Sequence, residues 1–258
     1  MLVDSHSHFD APELDADREA VLARARAAGV TRQVVPAVTA ALWPKLRDVC
    51  AQDAGLFAAY GLHPMYLAEH RPTHLDELRA WIEREKPVAV GECGLDFFVE
   101  GLDAELQQQY FDGQLRLARE FDLPLIVHAR RAVDAVIASI RRIGGLRGVV
   151  HSFSGSPEQA RQLWQAGFLI GLGGPVTYER ANRLRNLAAT MPLDYLLLET
   201  DSPDQPDAGI RGQRNEPARL PVIRDVIAGL RGMAPEELAR TTTQNAERLF
   251  ALTATADT

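Results

Sequence analysis

Cysteine and lysine are nearly absent from this sequence of 258 residues, which contains two of each. The two cysteines, Cys50 and Cys93, cannot build the disulfide framework that is typical of small secreted proteins, so a reducing compartment is expected. No apolar run approaches the roughly 20 residues that are needed to cross a membrane. The chain carries an acid at position 4, and no secretory signal is visible. The sequence therefore predicts a cytoplasmic protein with no membrane partner.

An excess of positive charge is also missing, because the formal net charge is −7. The protein as a whole has no basic field that would attract nucleic acid. If the substrate is an anion, metal ions or a local cluster of arginines must supply the attraction. Aromatic residues make up only 7% of the chain, and no platform for stacking bases is apparent. The sequence therefore shows few of the features that bind a long nucleic acid duplex.

What the sequence does contain is a regular alternation of two kinds of segment. Short runs rich in Val, Leu and Ile, typical of strands buried on both faces, occupy residues 2–6, 32–38, 56–63, 87–94, 123–129, 148–154, 168–174 and 194–200. Longer segments with apolar residues at helical spacing cover residues 15–29, 75–86, 105–122, 156–167, 218–232 and 234–252. The alternation predicts an α/β fold, a (β/α)8 TIM barrel forming one domain over residues 1–258. The final six residues, TATADT, are expected to fray.

Histidines and isolated acids fall where the predicted strands end. Five of the seven histidines are in such positions. Because the strand ends of a barrel meet at one rim, these side chains are expected to form a site there. The residues concerned are His6, His8, His63, Glu92, His128, His151 and Asp201. The other two histidines, His70 and His74, lie between elements and are expected to face solvent.

The spacing of His6 and His8 favours metal binding. Residues two apart in an extended segment point to the same side, so both imidazoles can bind one ion. Asp201 and Glu92 can complete that site with oxygen ligands. Imidazole and carboxylate together suit hydrolytic ions such as Zn, Mn or Mg rather than an ion that prefers thiolates.

A second ion is predicted between His128 and His151, which end adjacent strands. Glu92 would bridge the two ions. The predicted cofactors are therefore two divalent metal ions, namely Mg, Mn or Zn.

Seven motifs resemble those of one family in their order and spacing: DSHSHFD, GLHP, GECGLDF, LPLIVHAR, HSFSG, LLLETDSP and RGQRNEP. The family is the TatD family of metal-dependent hydrolases and deoxyribonucleases, and the motifs HSFSG and ETDSPDQP are most similar to its YjjV-like branch. The resemblance covers the chain from Asp4 to about Phe250. Two motifs depart from the family pattern. This chain has GECGLDFF where the family usually has GEIGLDYY, and its segment SPDQPDAG lacks the aromatic residue that usually follows TDxP. The second departure affects the expected substrate preference and not the metal ligands.

The resemblance implies a TIM barrel that hydrolyses phosphodiester bonds, often as a DNA exonuclease acting from the 3′ end. It also implies the same ligand sets, with Glu92 shared between the ions. The expected substrate is a nucleic acid end, single-stranded DNA in particular, and the protein is expected to be a monomer.

Three residues are predicted to be catalytic. Asp201 would hold the attacking water and accept its proton, and Glu92 would set the distance between the ions. His63 would contact a phosphate oxygen or the leaving group. In the turn after the fourth strand, Asp96 is expected to accept backbone N–H groups.

Arginine is the expected ligand for the phosphate backbone, because its guanidinium binds phosphate in a bidentate fork. Of the 28 basic residues 26 are arginines, so most of them must be ordinary surface residues. The candidates are Arg130, which follows the His128 strand, and Arg211 and Arg214 in the loop after the eighth strand. Asn215 is expected to hydrogen-bond that loop rather than the substrate.

Alternative functions remain open. A cyclic-amide or amine hydrolase of the wider amidohydrolase group would share the barrel and the H-x-H motif. That group commonly bridges its ions with a carboxylated lysine, whereas Lys86 precedes the fourth strand and Lys45 is the only other lysine. An ester hydrolase such as a D-aminoacyl-tRNA deacylase could use the same metals. A scaffold without activity is a further alternative, against which the full set of ligand residues argues.

Overall fold

A computed structural model describes residues 1–252 of the chain. The prediction for TATADT lies outside the described residues. Within residues 1–252 there are eight β-strands and nine α-helices, joined by loops and short 3-10 helices. None of the helices in this part of the chain is both long enough and apolar enough to cross a membrane.

The strands are β1 Leu2–Asp4, β2 Val30–Pro36, β3 Leu56–Tyr60, β4 Ala89–Asp96, β5 Leu125–Arg130, β6 Gly148–Val150, β7 Phe168–Leu172 and β8 Leu196–Leu198. The helices are α1 Arg18–Ala27, α2 Trp43–Cys50, α3 His74–Glu85, α4 Ala104–Glu120, α5 Val133–Ile143, α6 Pro157–Gln165, α7 Asn182–Thr190, α8 Leu220–Arg231 and α9 Pro235–Phe250.

The strands follow chain order in an eight-stranded sheet, and their pairings are parallel. Helices separate successive strands, as the alternation in the sequence predicted. The chain also divides into two compact units. Unit 1 comprises Met1–Val35, Val49–Phe57 and the chain from Ile170 onward, and unit 2 comprises Pro36–Asp48 and Ala58–Leu169.

Continuous burial explains why the strands are apolar without alternation. All eight residues of β4 and all five residues of β7 are buried. A strand covered on both faces has no polar face to alternate with, which is the expected pattern for the parallel strands of an α/β fold.

Several strands are shorter than their apolar runs. β1 ends at Asp4, β6 at Val150 and β8 at Leu198, so the histidines and acids that follow them lie in loops. β4 shows the opposite difference, because it continues four residues beyond Glu92 to Asp96. Glu92 is therefore an interior residue of its strand and not its last one.

Local capping sets the start of α6. Ser156 accepts a hydrogen bond from the Gln159 N–H, while the Gln159 side chain accepts one from the Ser156 N–H. This capping box satisfies two backbone donors that the first turn leaves free. Pro157 occupies the first helical position, as its fixed φ angle favours.

Candidate metal centre

Three ligand-type atoms converge in unit 1, from His6, His8 and Asp201, which we call the first donor group. The Nε2 atoms of the two histidines lie 3.3 Å apart, and they lie 3.3 and 3.5 Å from Oδ1 of Asp201. Tetrahedral ligands at about 2.1 Å from a metal ion are about 3.4 Å from one another. The spacing within the first donor group therefore fits a single ion.

Hydrogen bonds between the loops after β1 and β8 bring this group together. The Asp201 N–H donates to the His6 carbonyl at 2.9 Å, and the His8 N–H donates to the Ser202 carbonyl at 2.8 Å. The hydroxyls of Ser7 and Ser202 are 2.9 Å apart. His6 and His8 thus serve the same site although they lie beyond the strand, because the paired loops hold both rings.

A buried carboxylate reinforces the same junction. Asp4 accepts hydrogen bonds from the Thr200 N–H at 3.0 Å and the Thr200 hydroxyl at 2.6 Å. It also accepts the His6 N–H at 3.3 Å. Burial raises the pKa of Asp4 to about 7, even though these hydrogen bonds act in the opposite direction. Asp4 therefore ties the ends of β1 and β8 together.

The loop after β8 orients Asp201. Its Oδ2 atom accepts a hydrogen bond from the Gln205 side chain, which leaves Oδ1 directed at the two histidines. Asn215 donates to the carbonyls of Thr200 and Asp204 at 2.9 and 2.8 Å. Asn215 therefore bonds the loop, as predicted. Sequence reasoning missed Gln205, and no pattern in the sequence marks it.

Glu199 lies deeper than Asp201 and is fully buried. Its carboxylate lies against Gly171 of β7, where an added Cβ atom would come within 2.0 Å of Oε2. Glycine is therefore required at position 171, because any side chain there would displace the carboxylate.

A second donor group, consisting of Glu92, His63, His128 and His151, lies in unit 2. Oε1 of Glu92 is 2.8 Å from Nε2 of His63, 3.2 Å from Nδ1 of His128 and 2.7 Å from Nε2 of His151. Nδ1 of His128 and Nε2 of His151 are 3.4 Å apart. Glu92 is buried, with 1% of its surface exposed. Three imidazoles around one buried carboxylate form a donor set suited to a divalent ion.

The hydrogen bonds of His63 separate its role from that of the other two histidines. Its Nε2 atom is close enough to serve as a ligand. Its Nδ1 atom, however, accepts the Met65 N–H at 3.1 Å. A neutral imidazole that accepts at Nδ1 carries its proton on Nε2, so we assign His63 as a hydrogen-bond donor to Glu92. This assignment favours a contact with substrate oxygen over a metal bond.

His128 has the opposite arrangement, which suits a ligand. Its Nε2 atom is 2.8 Å from Oδ2 of Asp96, so Nδ1 is the atom directed at Glu92. Ligand histidines commonly donate their other N–H to a carboxylate in this way. Burial acts to lower the pKa of His128, but the hydrogen bonds with Asp96 and Glu92 outweigh it and raise the pKa.

Asp96 has more partners than the sequence predicted. Its Oδ1 atom accepts the Phe98 and Val99 N–H groups at 2.9 and 3.0 Å, which confirms the turn role. Its second oxygen holds His128. Burial acts to raise the pKa of Asp96, but the hydrogen bond with His128 and the two backbone bonds prevail and lower the pKa to about 2.

Two glutamines of α4, seven residues apart, clamp the segments that carry the second donor group. Gln107 exchanges two hydrogen bonds with the backbone of Asp96, at 2.8 and 2.9 Å. Gln114 does the same with Leu62, the neighbour of His63, at 2.8 and 3.1 Å. Both glutamines are buried. Polar residues at i and i+7 on an apolar helix face were the sequence signal for this role, and it was missed.

His70 and His74 are buried, so the expectation that they face solvent is wrong. Nε2 of His70 lies 2.8 Å from the His63 carbonyl oxygen, to which it can donate. Burial lowers the pKa of His70, which favours the neutral ring. Arg71 donates its N–H to Nδ1 of His74 at 3.3 Å. These histidines fix the segment after β3 and are not exposed.

The three candidate arginines lie in different surroundings. Arg130 is exposed, and its guanidinium carbon is 3.7 Å from the centre of the Phe98 ring. Arg211 lines a pocket in unit 1 together with Gln205, the partner of Asp201. Arg214 is held by Asp17, with two contacts at 2.8 Å, and by the Glu13 carbonyl at 2.7 Å. Arg214 is therefore held in structural contacts, whereas Arg130 is exposed at the surface and Arg211 lines a pocket.

We expect these donors to take up divalent ions. Protein stripped with a chelator and reloaded with Mn or Zn should contain up to two ions per chain by elemental analysis. His8→Ala removes a ligand from the first donor group and His151→Ala removes one from the second, so each variant should lose up to one ion. Binding should weaken in mild acid, because protonated imidazole cannot act as a ligand. A structure under saturating Mn or Zn with no ion near His128 and His151 would contradict the two-ion version.

Comparison with known proteins agrees with this chemistry. The family model described as "TatD related DNase" matches residues 3–251. The chain is 42% identical to an uncharacterized metal-dependent hydrolase, YjjV, of Escherichia coli over 96% of this chain and 97% of that one. It is 37% identical to the 3′-5′ ssDNA/RNA exonuclease TatD of Erwinia billingiae over 92% of this chain and 94% of that one.

The solved structure of Escherichia coli YjjV, described as a TatD homologue, superposes with a TM-score of 0.92 at 41% identity. The match covers 97% of this chain and 98% of that structure. Together with the alternation of eight parallel strands and helices, this confirms the predicted TIM-barrel fold class. The similarity to YjjV also agrees with the branch that the motifs indicated. The chain belongs to the TatD family of metal-dependent hydrolases.

Proposed function

We propose that this protein hydrolyses phosphodiester bonds in single-stranded nucleic acid and removes nucleotides from the 3′ end. The observation that carries the proposal is the presence of two donor groups, one in each unit, built from imidazoles and carboxylates without thiolate. The name of the Erwinia relative supports the choice of substrate.

The donor residues have distinct tasks in this proposal. His6, His8 and Asp201 would hold one divalent ion, and His128 and His151 with Glu92 would hold another. Bound divalent ions lower the pKa of a coordinated water and neutralise charge on the oxygens of the phosphate. That Glu92 bridges two ions stays a prediction from the sequence.

Asp201 is the proposed general base. One oxygen is fixed by Gln205 and the other faces the two histidines, so the carboxylate is oriented before substrate arrives. A carboxylate held in this way can accept the proton of an attacking water within hydrogen-bond reach. His63 carries its proton on Nε2 and can donate it in a hydrogen bond to a phosphate oxygen or to the leaving oxygen.

Arg211 and Arg130 are the proposed phosphate contacts outside the donor groups. Arg211 shares its pocket with Arg180 and with Gln205, which places guanidinium groups beside the loop that carries Asp201. Arg130 follows His128 by two residues and is exposed. Arg214 is assigned to the structural contact with Asp17 instead.

The test is a cleavage assay with a 5′-labelled single strand and metal-loaded protein. We expect a ladder that shortens from the 3′ end with release of mononucleotides. A 3′-terminal phosphorothioate should stall the reaction with Mg, because sulfur binds hard metal ions poorly, and Mn or Cd should partly restore it. Duplex DNA, RNA, D-aminoacyl-tRNA and cyclic amides complete the substrate panel.

Two outcomes would contradict the proposal. Internal cuts at the earliest times would indicate an endonuclease. Turnover of an ester or an amide without cleavage of any nucleic acid would overturn the nuclease function while leaving the family and the metal sites in place.

A further inference from the structure

Exposed apolar side chains cluster in one part of unit 2. Among the described residues, six large hydrophobic side chains are exposed, and four of them follow β3 or β4. Met65 and Tyr66 follow His63, with 44% and 41% of their surface exposed, and Phe97 and Phe98 follow Asp96, with 43% each. The chain segments that follow β3 and β4 therefore carry aromatic rings that are not buried in the core.

Two guanidinium groups lie over one of these rings. The guanidinium carbons of Arg130 and Arg131 are 3.7 and 4.7 Å from the centre of the Phe98 ring. Phe97, Phe98, Arg130 and Arg131 form what we call the aromatic–arginine surface. Within residues 1–252, no carboxylate forms a salt bridge with either arginine, whereas Arg142 pairs with Asp112 at 2.7 Å. The positive charge of this surface is therefore available to an anion.

The aromatic–arginine surface is anchored to the second donor group. Asp96 binds His128 with one oxygen and the N–H groups of Phe98 and Val99 with the other. The Phe97 N–H also donates to the Arg130 carbonyl at 2.9 Å, which joins the segments after β4 and β5. The Asp96 carboxylate thus fixes the backbone that carries Phe98 relative to His128, a candidate metal ligand.

We propose that the aromatic–arginine surface binds the unpaired bases and the phosphates of a single strand next to the cleaved bond. The proposal rests on the nuclease function and names the contacts that hold the strand. Phe98 is 43% exposed, and an exposed aromatic ring can stack any base, because every base has a π-face. The adjacent guanidinium groups supply positive charge for the backbone phosphates. In a duplex those π-faces are covered by neighbouring bases, so the surface selects single strands.

The first experiment makes the substrate base non-planar, removes the aromatic ring of Phe98, and compares the two changes alone and together. The substrates are thymidine 12-mers with one 5,6-dihydrothymidine, whose saturated ring is not planar, at each successive position from the 3′ end. For wild-type protein, kcat/KM for removal of the 3′-terminal nucleotide should fall at least about fivefold at one or two positions. Phe98→Leu should lower kcat/KM for the unmodified strand by roughly 5- to 150-fold. It should also abolish the penalty at those positions, because ring and base act as a pair. Phe98→Trp should restore both.

The second experiment tests the charge against a matched control. Arg130→Gln with Arg131→Gln removes two charges from the surface. Arg116→Gln with Arg161→Gln removes two charges from arginines that are each 60% exposed and lie beside Asp112 and Glu158. The slope of log(kcat/KM) against log salt should become shallower by about 0.7 for each phosphate contact that is lost, and only in the first pair.

The outcomes separate the two proposals. Wild-type protein that removes no nucleotide from any single strand would overturn the nuclease function, and this surface with it. Active wild-type protein whose Phe98→Leu variant keeps the same dependence on dihydrothymidine would overturn the stacking role alone. Equal salt slopes in the two arginine pairs would overturn the phosphate role alone.

Discussion

Replacement of Glu92 by glutamine is expected to abolish hydrolysis while the protein stays folded. Glu92→Gln keeps the shape of the side chain but removes a buried negative charge that lies within 3.2 Å of three imidazoles. Residues that only orient ligands typically contribute 10- to 100-fold, so loss of the ligand itself should cost about 100-fold or more. The measurements are kcat/KM on a 5′-labelled single strand, metal content and the thermal unfolding midpoint.

Cys93→Ala is the matched control for this variant. Cys93 adjoins Glu92 on β4 and is equally buried, but its thiol lies 3.6 Å from the Ile126 carbonyl and takes no part in the donor group. This control should keep its metal content and its activity. Near-normal hydrolysis by Glu92→Gln, at full folding, would remove Glu92 from the mechanism.

Replacement of Asp201 by asparagine is expected to lower the maximal rate by orders of magnitude. Loss of a general base alone typically costs about 10²- to 10⁴-fold, and weaker metal binding would add to that loss. The KM should change less, because under the proposed function Arg130, Arg211 and the second donor group would still bind phosphate. The measurements are kcat, KM and metal content of Asp201→Asn under saturating Mn.

Two further variants separate the roles of Asp201. Asp204→Asn makes the same chemical change three residues away on an exposed side chain, and it should leave kcat unchanged. His8→Ala removes a ligand but not the base, so added metal should restore its rate more fully than that of Asp201→Asn. Equal recovery of both variants at high metal concentration would show that Asp201 serves only as a ligand.

Most of the candidate site could be predicted from the sequence because its donors are tied to a regular framework. Eight apolar runs separated by helical segments predict the parallel strands, and the family resemblance agrees with that pattern. Chemically distinctive residues at or near the ends of those runs, such as His6, His151 and Asp201, stand out without any coordinates. Local periodicity depends only on near neighbours in the chain, and a sequence shows those directly.

Strand ends were predicted less well, because hydrogen bonding and not hydrophobicity decides where a strand stops. The predicted strand LVDSH spans residues 2–6, yet pairing with β2 ends at Asp4. Beyond that point, paired loops rather than strand alternation bring His6 and His8 to Asp201.

By itself the sequence determined the family, the alternating fold and the set of candidate donor residues, since each depends on residue type and spacing. Only the tertiary structure decided which atom of each candidate donor faces its partners. The Met65 N–H fixes the proton of His63, and Asp96, 32 residues from His128, selects the nitrogen of that ring. The fold likewise leaves Arg130 exposed, whereas Arg214 is paired with Asp17, which lies 197 residues away in the chain. These roles follow from partners that are distant in the chain, and such contacts exist only once the chain has folded.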